Sequence, residues 1–372
     1  MKLKRVHIKN FKGIKDVEID FMGPSGPRWM TALLGDNGSG KTTVLQAIAL
    51  VLTLATKVRK GIGDFSWPGF LADRLGTLGP VSVSLLLEFH DDEIQAAISA
   101  ANVCDKFEWM DRFPFLISPN SRIAKPEGNN EIAIDFDADS LTVSGGEGNR
   151  SLLLGREMAR AAIRSGTISG EEFSVLGDVF WFDQLRSIGS VVMSGTEEVT
   201  GLGHGRSWYA GVAGLREYLT KWWIIHTSDD KPGKKDLIKE LETVMQGLMP
   251  GIRFVGLEPR GWTGSTTPSP SDFYVLLEQD GRRFDIAEMS SGEQAIFPLI
   301  FEFVRLDIPK SKSIVLIDEL ELHLHPPEQQ ALFRALPIIG PDCQYIITTH
   351  SEVLTDVIPN EWEVRLDKGQ VI

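Results

Sequence analysis

The chain has 372 residues of which 42% are hydrophobic, enough to bury one or two cores of ordinary size, so disorder is excluded as its default state. Its 38 Lys+Arg against 51 Asp+Glu give a net charge of −13, which excludes a surface that broadly coats nucleic acid but leaves room for a local basic patch. Cys104 and Cys343, far apart, imply no disulfide framework and fit a reducing cytoplasm; the start lacks an apolar signal core, and the apolar stretch Thr42 to Thr56 is too short to span a bilayer.

In chain order, residues 1–21 alternate apolar and polar around Asn10 to Gly13 and predict two strands joined by a turn. Lys2, Lys4, Arg5, Lys9, Lys12 and Lys15 fall in this segment before any acid, and read as the exposed charged face of a hairpin. RWMTALLG predicts a short buried strand, and KTTVLQAIALVLTLA a helix apolar on nearly every face, enclosed by sheet and neighbouring helices. Trp67, Phe70 and Leu71 are expected to pin the following loop to the core, and VSVSLLLEF alternates as a strand.

From about His90 to Asp272 the texture changes. Candidate helices at Asp91 to Ala101, Leu152 to Ser165, Tyr209 to Ile225 and Lys234 to Met249 are separated by polar loops. This stretch reads as a mainly helical insertion, interrupted by a returning strand at Asp178 to Gln184. It has neither a coiled-coil heptad run nor a solenoid repeat. A hairpin turning at Asp280-Gly281 follows, and then SIVLIDE, PPEQQALFRAL, CQYIITT and SEVLTDVI alternate strand and helix, which implies a parallel sheet covered on both faces. The domain reading is therefore residues 1–89 and 273–372 as two parts of one α/β head, with 90–272 inserted between them.

Gly35-Asp36-Asn37-Gly38-Ser39-Gly40-Lys41-Thr42 has the spacing of a phosphate loop and lies where the chemistry needs it, after a predicted strand and at the start of a predicted helix. The glycines let backbone amides turn inward as an anion nest and the helix N-terminus adds its positive dipole end. Lys41 reaches the β and γ phosphates, and the Thr42 hydroxyl ligates Mg²⁺. The loop is expected to hold a nucleoside triphosphate through Gly35, Asn37, Gly38, Ser39, Gly40, Lys41, Thr42 and Thr43.

The apolar strand Ile314 to Ile317 ends in Asp318 and Glu319. After a phosphate loop, Asp318 is expected to hold Mg²⁺ through water and Glu319 to orient and polarise the attacking water. In EMSSGEQAIF, Ser290 with Glu293 and Ser291 with Gln294 both fit the capping-box pattern, so a helix starts here, either simply capped or offering a second anion site; Pro298 is expected to kink it. IITTHS delivers His350 to a strand end, where its imidazole would sense the γ phosphate. His323 and His325 alternate, but no Cys or carboxylate is spaced to complete a metal site, and a hydrogen-bonding role at a domain or subunit contact is expected instead.

The order of the phosphate loop, SSGEQ, IDE and TTHS resembles the ABC-type ATPase heads of the RecF, SMC and OLD families. IKNFKGIKDVEIDF, MSSGEQ and IDELELHLHP are most similar to the compact AAA-type ATPases of bacterial DNA repair and antiphage defence. The resemblance covers Met1 to about Phe89 and Phe273 to Ile372. It implies a P-loop NTPase of the ABC ATPase head type, with a mixed sheet flanked by helices and two heads sandwiching ATP with Mg²⁺. Ser291, Gly292 and Gln294 would then contact ATP held by Lys41 and Thr42 of a partner subunit. Gln184 stands as the candidate for the Mg²⁺-contacting glutamine, and Asn10, Phe11 and Lys12 for the segment near the base. Leu320 replaces the proline common after the catalytic glutamate, and His325 the aspartate of the subunit-contacting loop in transporter heads; both speak against a transporter. The short stretch after His350 leaves no room for a fused nuclease domain, so a separately encoded effector, a nuclease or toxin, is expected. The implied function is a cytoplasmic ATPase switch that forms a homodimer or higher oligomer. The alternative is a repair ATPase clamping duplex DNA through the basic N-terminal strands; a transporter subunit and a scaffold that never hydrolyses rank lower.

Overall fold

The computed structural model describes residues 1–56, 61–65, 67, 70–104, 126, 130–138, 140–155, 158–159, 173, 175–182, 212–228, 236–260, 272–305 and 312–372. In its N-terminal part β1 (Lys2–Phe11) pairs antiparallel with β2 (Ile14–Asp20), which is followed by the short ribbon β3 (Met22–Gly23) and β4 (Gly26–Pro27). After β5 (Met30–Leu34) has joined another sheet, β6 (Ser82–Glu88), β7 (Glu131–Asp137) and β8 (Ser140–Val143) complete a five-stranded antiparallel sheet of order β2-β1-β6-β7-β8. Strict alternation gives it one apolar face, to which β1 contributes Val6 and Ile8, β6 contributes Val83, Leu85 and Leu87, and β7 contributes Ile132, Ile134 and Phe136.

The second sheet has six strands in the order β16-β15-β5-β14-β13-β9. β9 (Val179–Phe182), β13 (Ile314–Ile317), β14 (Gln344–Thr349), β5 and β15 (Glu363–Asp367) run parallel, and β16 (Gln370–Val371) folds back antiparallel on β15. Strands covered on both faces are buried along their whole length, which is why β13 reads as the unbroken apolar run IVLI; β14, equally buried, has an apolar centre at Ile346 and Ile347 between Gln344 and the hydroxyls of Thr348 and Thr349. Ile314 and Leu316 join the core on the side of α1 (Lys41–Ala55), whereas Val315 and Ile317 join the core on the other side.

Helix α1 lies between the two sheets, with Val44 to Leu52 buried on every face; α2 (Asp91–Cys104) and α3 (Glu147–Leu153) close the same layer. The opposite face is covered by α4 (Val212–Thr227), α5 (Leu237–Gln246), α6 (Ser291–Arg305) and α7 (Pro326–Ile339), with α8 (Glu352–Thr355) beside α7. A three-stranded antiparallel sheet of β10 (Arg253–Pro259), β11 (Phe273–Gln279) and β12 (Arg282–Asp285) adds Phe254, Val275, Leu277 and Phe284 to this core. Among the described residues, no helix is long and apolar enough to cross a membrane.

Several expectations are corrected here. The expected returning strand is β9, an edge of the six-stranded sheet, but the rest of the stretch 90–272 is not simply helical: β7 and β8 extend the N-terminal sheet, and β10 pairs with β11. EIAIDFD alternates cleanly, but its acids are the outward-facing half of a strand and disguise it as polar. Gln184 lies outside the described residues. Trp67 and Phe70 do anchor their loop, Trp67 standing 4.6 Å from the Phe65 ring and 5.7 Å from Trp181, whereas Leu71 is exposed. The basic N-terminal run is met by acids across the sheet: Lys4 by Glu88 and Glu131, Arg5 by Glu18, and His7 and Lys9 by Asp16. Pro298 falls inside helix α6, as expected.

One ion pair joins α4 to the segment leading into α6. The Arg216 guanidinium donates to both carboxylate oxygens of Asp285, at 2.8 and 2.5 Å, and Asp285 also accepts from the amides of Val275 at 2.9 Å and Ala287 at 3.0 Å. Burial by itself would raise the Asp285 carboxyl, but Arg216 and the two amides outweigh it and hold the carboxyl below its ordinary value of 3.8. A depressed carboxyl contributes stability above its unfolded value and loses it as pH falls through its folded value. Asp285→Asn is expected to cost about 2 kcal/mol at neutral pH, less than breaking a wholly buried pair because 17% of the Arg216 side chain is in water. Urea unfolding checks this, with the gap from wild type closing as pH drops below 3.8.

Candidate functional site

β5, β14 and β13 lie side by side and run parallel, so their carboxyl ends deliver three chain segments to one edge of the sheet. From β5 comes the glycine-rich loop. Gly35, Gly38 and Gly40 take φ of 146°, 81° and 105°, left-handed values of the kind an anion nest is built from, and α1 starts at the next residue, Lys41. At Gly35 a Cβ would run into the Leu366 carbonyl and the Ser39 side chain. The loop leans on the turn between β15 and β16, where the Gly369 amide donates to the Ser39 carbonyl at 2.8 Å. Asn37 and Gly38 are exposed at its tip, Thr43 is half-buried, and the buried Ser39 Oγ has no partner among the described residues. Lys41 folds back over the loop, its Nζ donating to the carbonyls of Gly35 at 2.6 Å and Asp36 at 3.0 Å.

From β13 comes Asp318, which is 1% exposed. Its carboxylate accepts from Thr42 Oγ1 at 2.9 and 3.0 Å and from Thr348 Oγ1, the contribution of β14, at 2.7 Å. Thr348 Oγ1 in turn accepts from the Glu319 amide at 2.7 Å. Glu319 sits at φ 48°, a left-handed value sparsely populated outside glycine. Burial first, and then the neighbouring Asp318 charge, push its carboxyl above the ordinary 4.5, with His350 pulling the other way. A half-buried acid raised in this way suits a proton acceptor better than an ordinary surface carboxylate does.

The Thr42 hydroxyl and the Asp318 carboxylate are hard oxygen donors on one spot, and no group of three or more His, Cys, Asp or Glu among the described residues is disposed to hold a metal unaided. That sparse oxygen set fits Mg²⁺, which keeps several waters and takes further ligands from substrate phosphates. The loop with Lys41 fits a polyphosphate, its ammonium being satisfied among the described residues by loop carbonyls that a phosphate can replace. Lys12, left-handed at φ 55°, donates to Gln46 on α1 at 2.8 Å; burial lowers its ammonium, opposed by Asp318. Asn10 is tied to the Pro80 carbonyl at 3.0 Å, whereas Phe11 is fully buried in the core and offers no surface to a base.

Beyond β14, His350 is 47% exposed at its side chain, and its Nδ1 lies 2.9 Å from Glu321 Oε1. Glu321 went unnoticed in the sequence, although it is the acid two residues after Glu319 in the same loop. In the helix α6 segment, Ser290 and Glu293 form a reciprocal box, the Ser290 amide donating to Glu293 at 2.7 Å and the Glu293 amide to Ser290 Oγ at 3.3 Å. The second box, expected of Ser291 and Gln294, does not form. Gln294 Nε2 turns back to the carbonyls of Met289 at 2.9 Å and Ala287 at 3.2 Å, and Ser291 is left exposed at the first helical position. Gly292 is packed so closely on the Glu328 carboxylate of α7 that a Cβ would stand 2.7 Å from Glu328 Oε2. Glu328 also accepts from the His325 amide at 3.0 Å, so His325 starts α7, and His323 is exposed at φ 64°.

Two family models match this chain: an AAA ATPase domain over residues 1–138, and an AAA domain described as a putative AbiEii toxin of a type IV TA system over residues 216–356. The chain is 24% identical over its whole length to a retron Ec83 probable ATPase of Escherichia coli, covering 72% of that protein. It is 27% identical over 95% of its length to an OLD nuclease of Thermus scotoductus, of which it spans 60%. In fold it is similar to an Smc head crystallised with the C-winged helix domain of ScpA, with TM-score 0.52, 19% identity, and coverage of 100% of this chain and 97% of that one.

Gly35→Ala is expected to lose about 3 kcal/mol of stability, from strain at a left-handed position and overpacking against Leu366, read as a lowered urea midpoint. Glu319→Gln is expected to act in the opposite sense. An acid raised in the folded state stabilises most below its unfolded pKa and loses that contribution as pH rises through the folded one, so the variant should melt higher than wild type at pH 7, and the difference should vanish below 4.5.

Proposed function

For a chain with the head fold of the RecF-, SMC- and OLD-type ABC ATPases, we propose an ATP-driven switch. It closes as a dimer or larger assembly around ATP, opens on hydrolysis, and controls a separately encoded effector in antiphage defence. The observation that carries this reading is the convergence of Lys41, Thr42, Asp318 and Glu319 at the carboxyl edge of the sheet, with Thr42 bonded to Asp318, Glu319 joined to Asp318 through Thr348, and Lys41 folded over the loop carbonyls beside them.

In this reading Lys41 leaves the carbonyls of Gly35 and Asp36 for the β and γ phosphate oxygens, while the amides from Gly38 to Thr43 cradle the phosphates at the start of α1. Mg²⁺, held by the Thr42 hydroxyl and by Asp318, neutralises charge on the phosphates when bound. Glu319 takes a proton from the attacking water as the water oxygen bonds the γ phosphorus and the bond to the β-phosphate oxygen breaks, which yields ADP and phosphate. His350 contacts the γ phosphate. Ser291, Gly292 and Gln294 of one subunit face the ATP of the other, where the Ser291 and Gly292 amides complete the cradle. The retron and OLD relatives support a defence setting, and the ion pairs of the basic N-terminal strands weigh against clamping duplex DNA through them.

Glu319→Gln is expected to slow hydrolysis by about a hundredfold or more, with a persistent ATP-bound dimer in mass measurements. An unchanged rate overturns its role. Lys41→Ala should weaken nucleotide binding at least about tenfold by calorimetry, the cost of one charge-assisted bond.

A further inference from the structure

Glu321 is a buried acid beside the proposed site for which the ATPase reading has no use. It is 7% exposed, in the loop that follows Asp318 and Glu319, and its two oxygens are used unequally. Oε1 accepts from the His350 backbone amide at 2.7 Å and faces the His350 Nδ1 at 2.9 Å, whereas Oε2 is buried with no hydrogen-bond partner among the described residues. A buried carboxylate with one bare oxygen is costly to maintain, and a chain that needed only to cap the His350 amide could do so with a neutral side chain. The oxygen that caps the amide is the one that also faces the imidazole.

We propose that Glu321 is a positioning residue for His350: by accepting from Nδ1–H it holds the imidazole in one tautomer and one rotamer, so that Nε2, at the exposed end of the ring, is the atom offered to the γ phosphate. The backbone contact makes the pair self-aligning, since the same oxygen that fixes the ring also fixes the peptide from which the ring hangs. On the other side, the Leu324 amide donates to the Glu321 carbonyl at 2.9 Å, and the Leu324 carbonyl accepts from Gln329, whose Oε1 accepts from Ser351 Oγ at 2.6 Å. Loop 321–324 and the segment beginning at His350 are thus tied at two points, and the ring is placed by the loop that carries the proposed base. Histidines that ligate or transfer protons are commonly oriented by a partner of this kind on the far nitrogen, and loss of that partner commonly costs 10–100-fold in activity or affinity.

The role of the pair in hydrolysis rests on the ATPase reading, but the tautomer does not. Nitrogen-15 spectra of the histidine-labelled wild-type protein, with His350→Gln for assignment, should show His350 protonated at Nδ1; an unprotonated Nδ1 overturns the inference even if the protein hydrolyses nothing. Glu321→Ala should release the tautomer preference and lower kcat about 10–100-fold with KM for ATP within about twofold of wild type. Glu321→Gln should stay within about threefold, because the His350 amide keeps the carboxamide oxygen turned to the ring. Equal losses in both variants, or a loss confined to KM, overturn the positioning role.

Discussion

A single buried carboxylate organises the site. Asp318 is almost completely withdrawn from water, and an unpaired charge there would be prohibitively expensive. Its oxygens are satisfied by hydroxyls from two other chain segments: Thr42, 276 residues away at the head of α1, and Thr348, 30 residues away near the end of β14. The sheet order β5-β14-β13 makes this possible, because the strand carrying Thr348 lies between the strand that launches the glycine-rich loop and the strand that ends in the acid. Once the triangle closes, the Thr348 hydroxyl has its own lone pairs left for the Glu319 amide, and Glu319 is held in its left-handed turn. The direction of the proposed catalytic side chain is therefore set by the satisfaction of its neighbour.

The same edge is electrostatically lopsided. Asp318, Glu319 and Glu321 occupy one short loop of a chain that is already acidic, and the cations nearest them, Lys41 and Lys12, spend their hydrogen bonds on loop carbonyls and on Gln46. Burial first, and then the Asp318 charge, accordingly raise the Glu319 carboxyl above its ordinary value. In the proposed reading, a polyphosphate arriving with its cation would shift that balance at Lys41, Asp318 and Glu319 together. Sites kept in such imperfect equilibrium are where proteins concede stability to activity.

What the sequence made legible was what local chemistry determines. The strand, loop and helix around Gly35 to Thr42, the acid pair after Ile317, the Ser290–Glu293 box and the Asp280-Gly281 turn are each specified by residues within a few positions of one another. What escaped depended on distant partners. β7 was hidden because its outward-facing positions carry acids, of which Glu131 meets Lys4 on β1, and the partners of Lys4 were not visible beside it because Glu88 and Glu131 are contributed by strands far along the chain. Gln294 was free to choose between a box with Ser291 and the carbonyls behind it, and spacing does not decide such a contest. Glu321 passed unnoticed since only the return of β14 brings His350 to it.

The pairing of β5 has a consequence for biosynthesis. This strand, which delivers the glycine-rich loop, has β14 on one flank and β15 on the other, and the loop itself rests on Leu366 and Gly369. While the ribosome is still working through the middle of the message, an apolar strand made early stands with both edges open, waiting for neighbours encoded more than three hundred codons later. Such long-range closure is slow and leaves a sticky intermediate. The glycine-rich loop therefore gains its full support only once β14 and β15 have been made, and until then the open edges of β5 are exposed to mispairing.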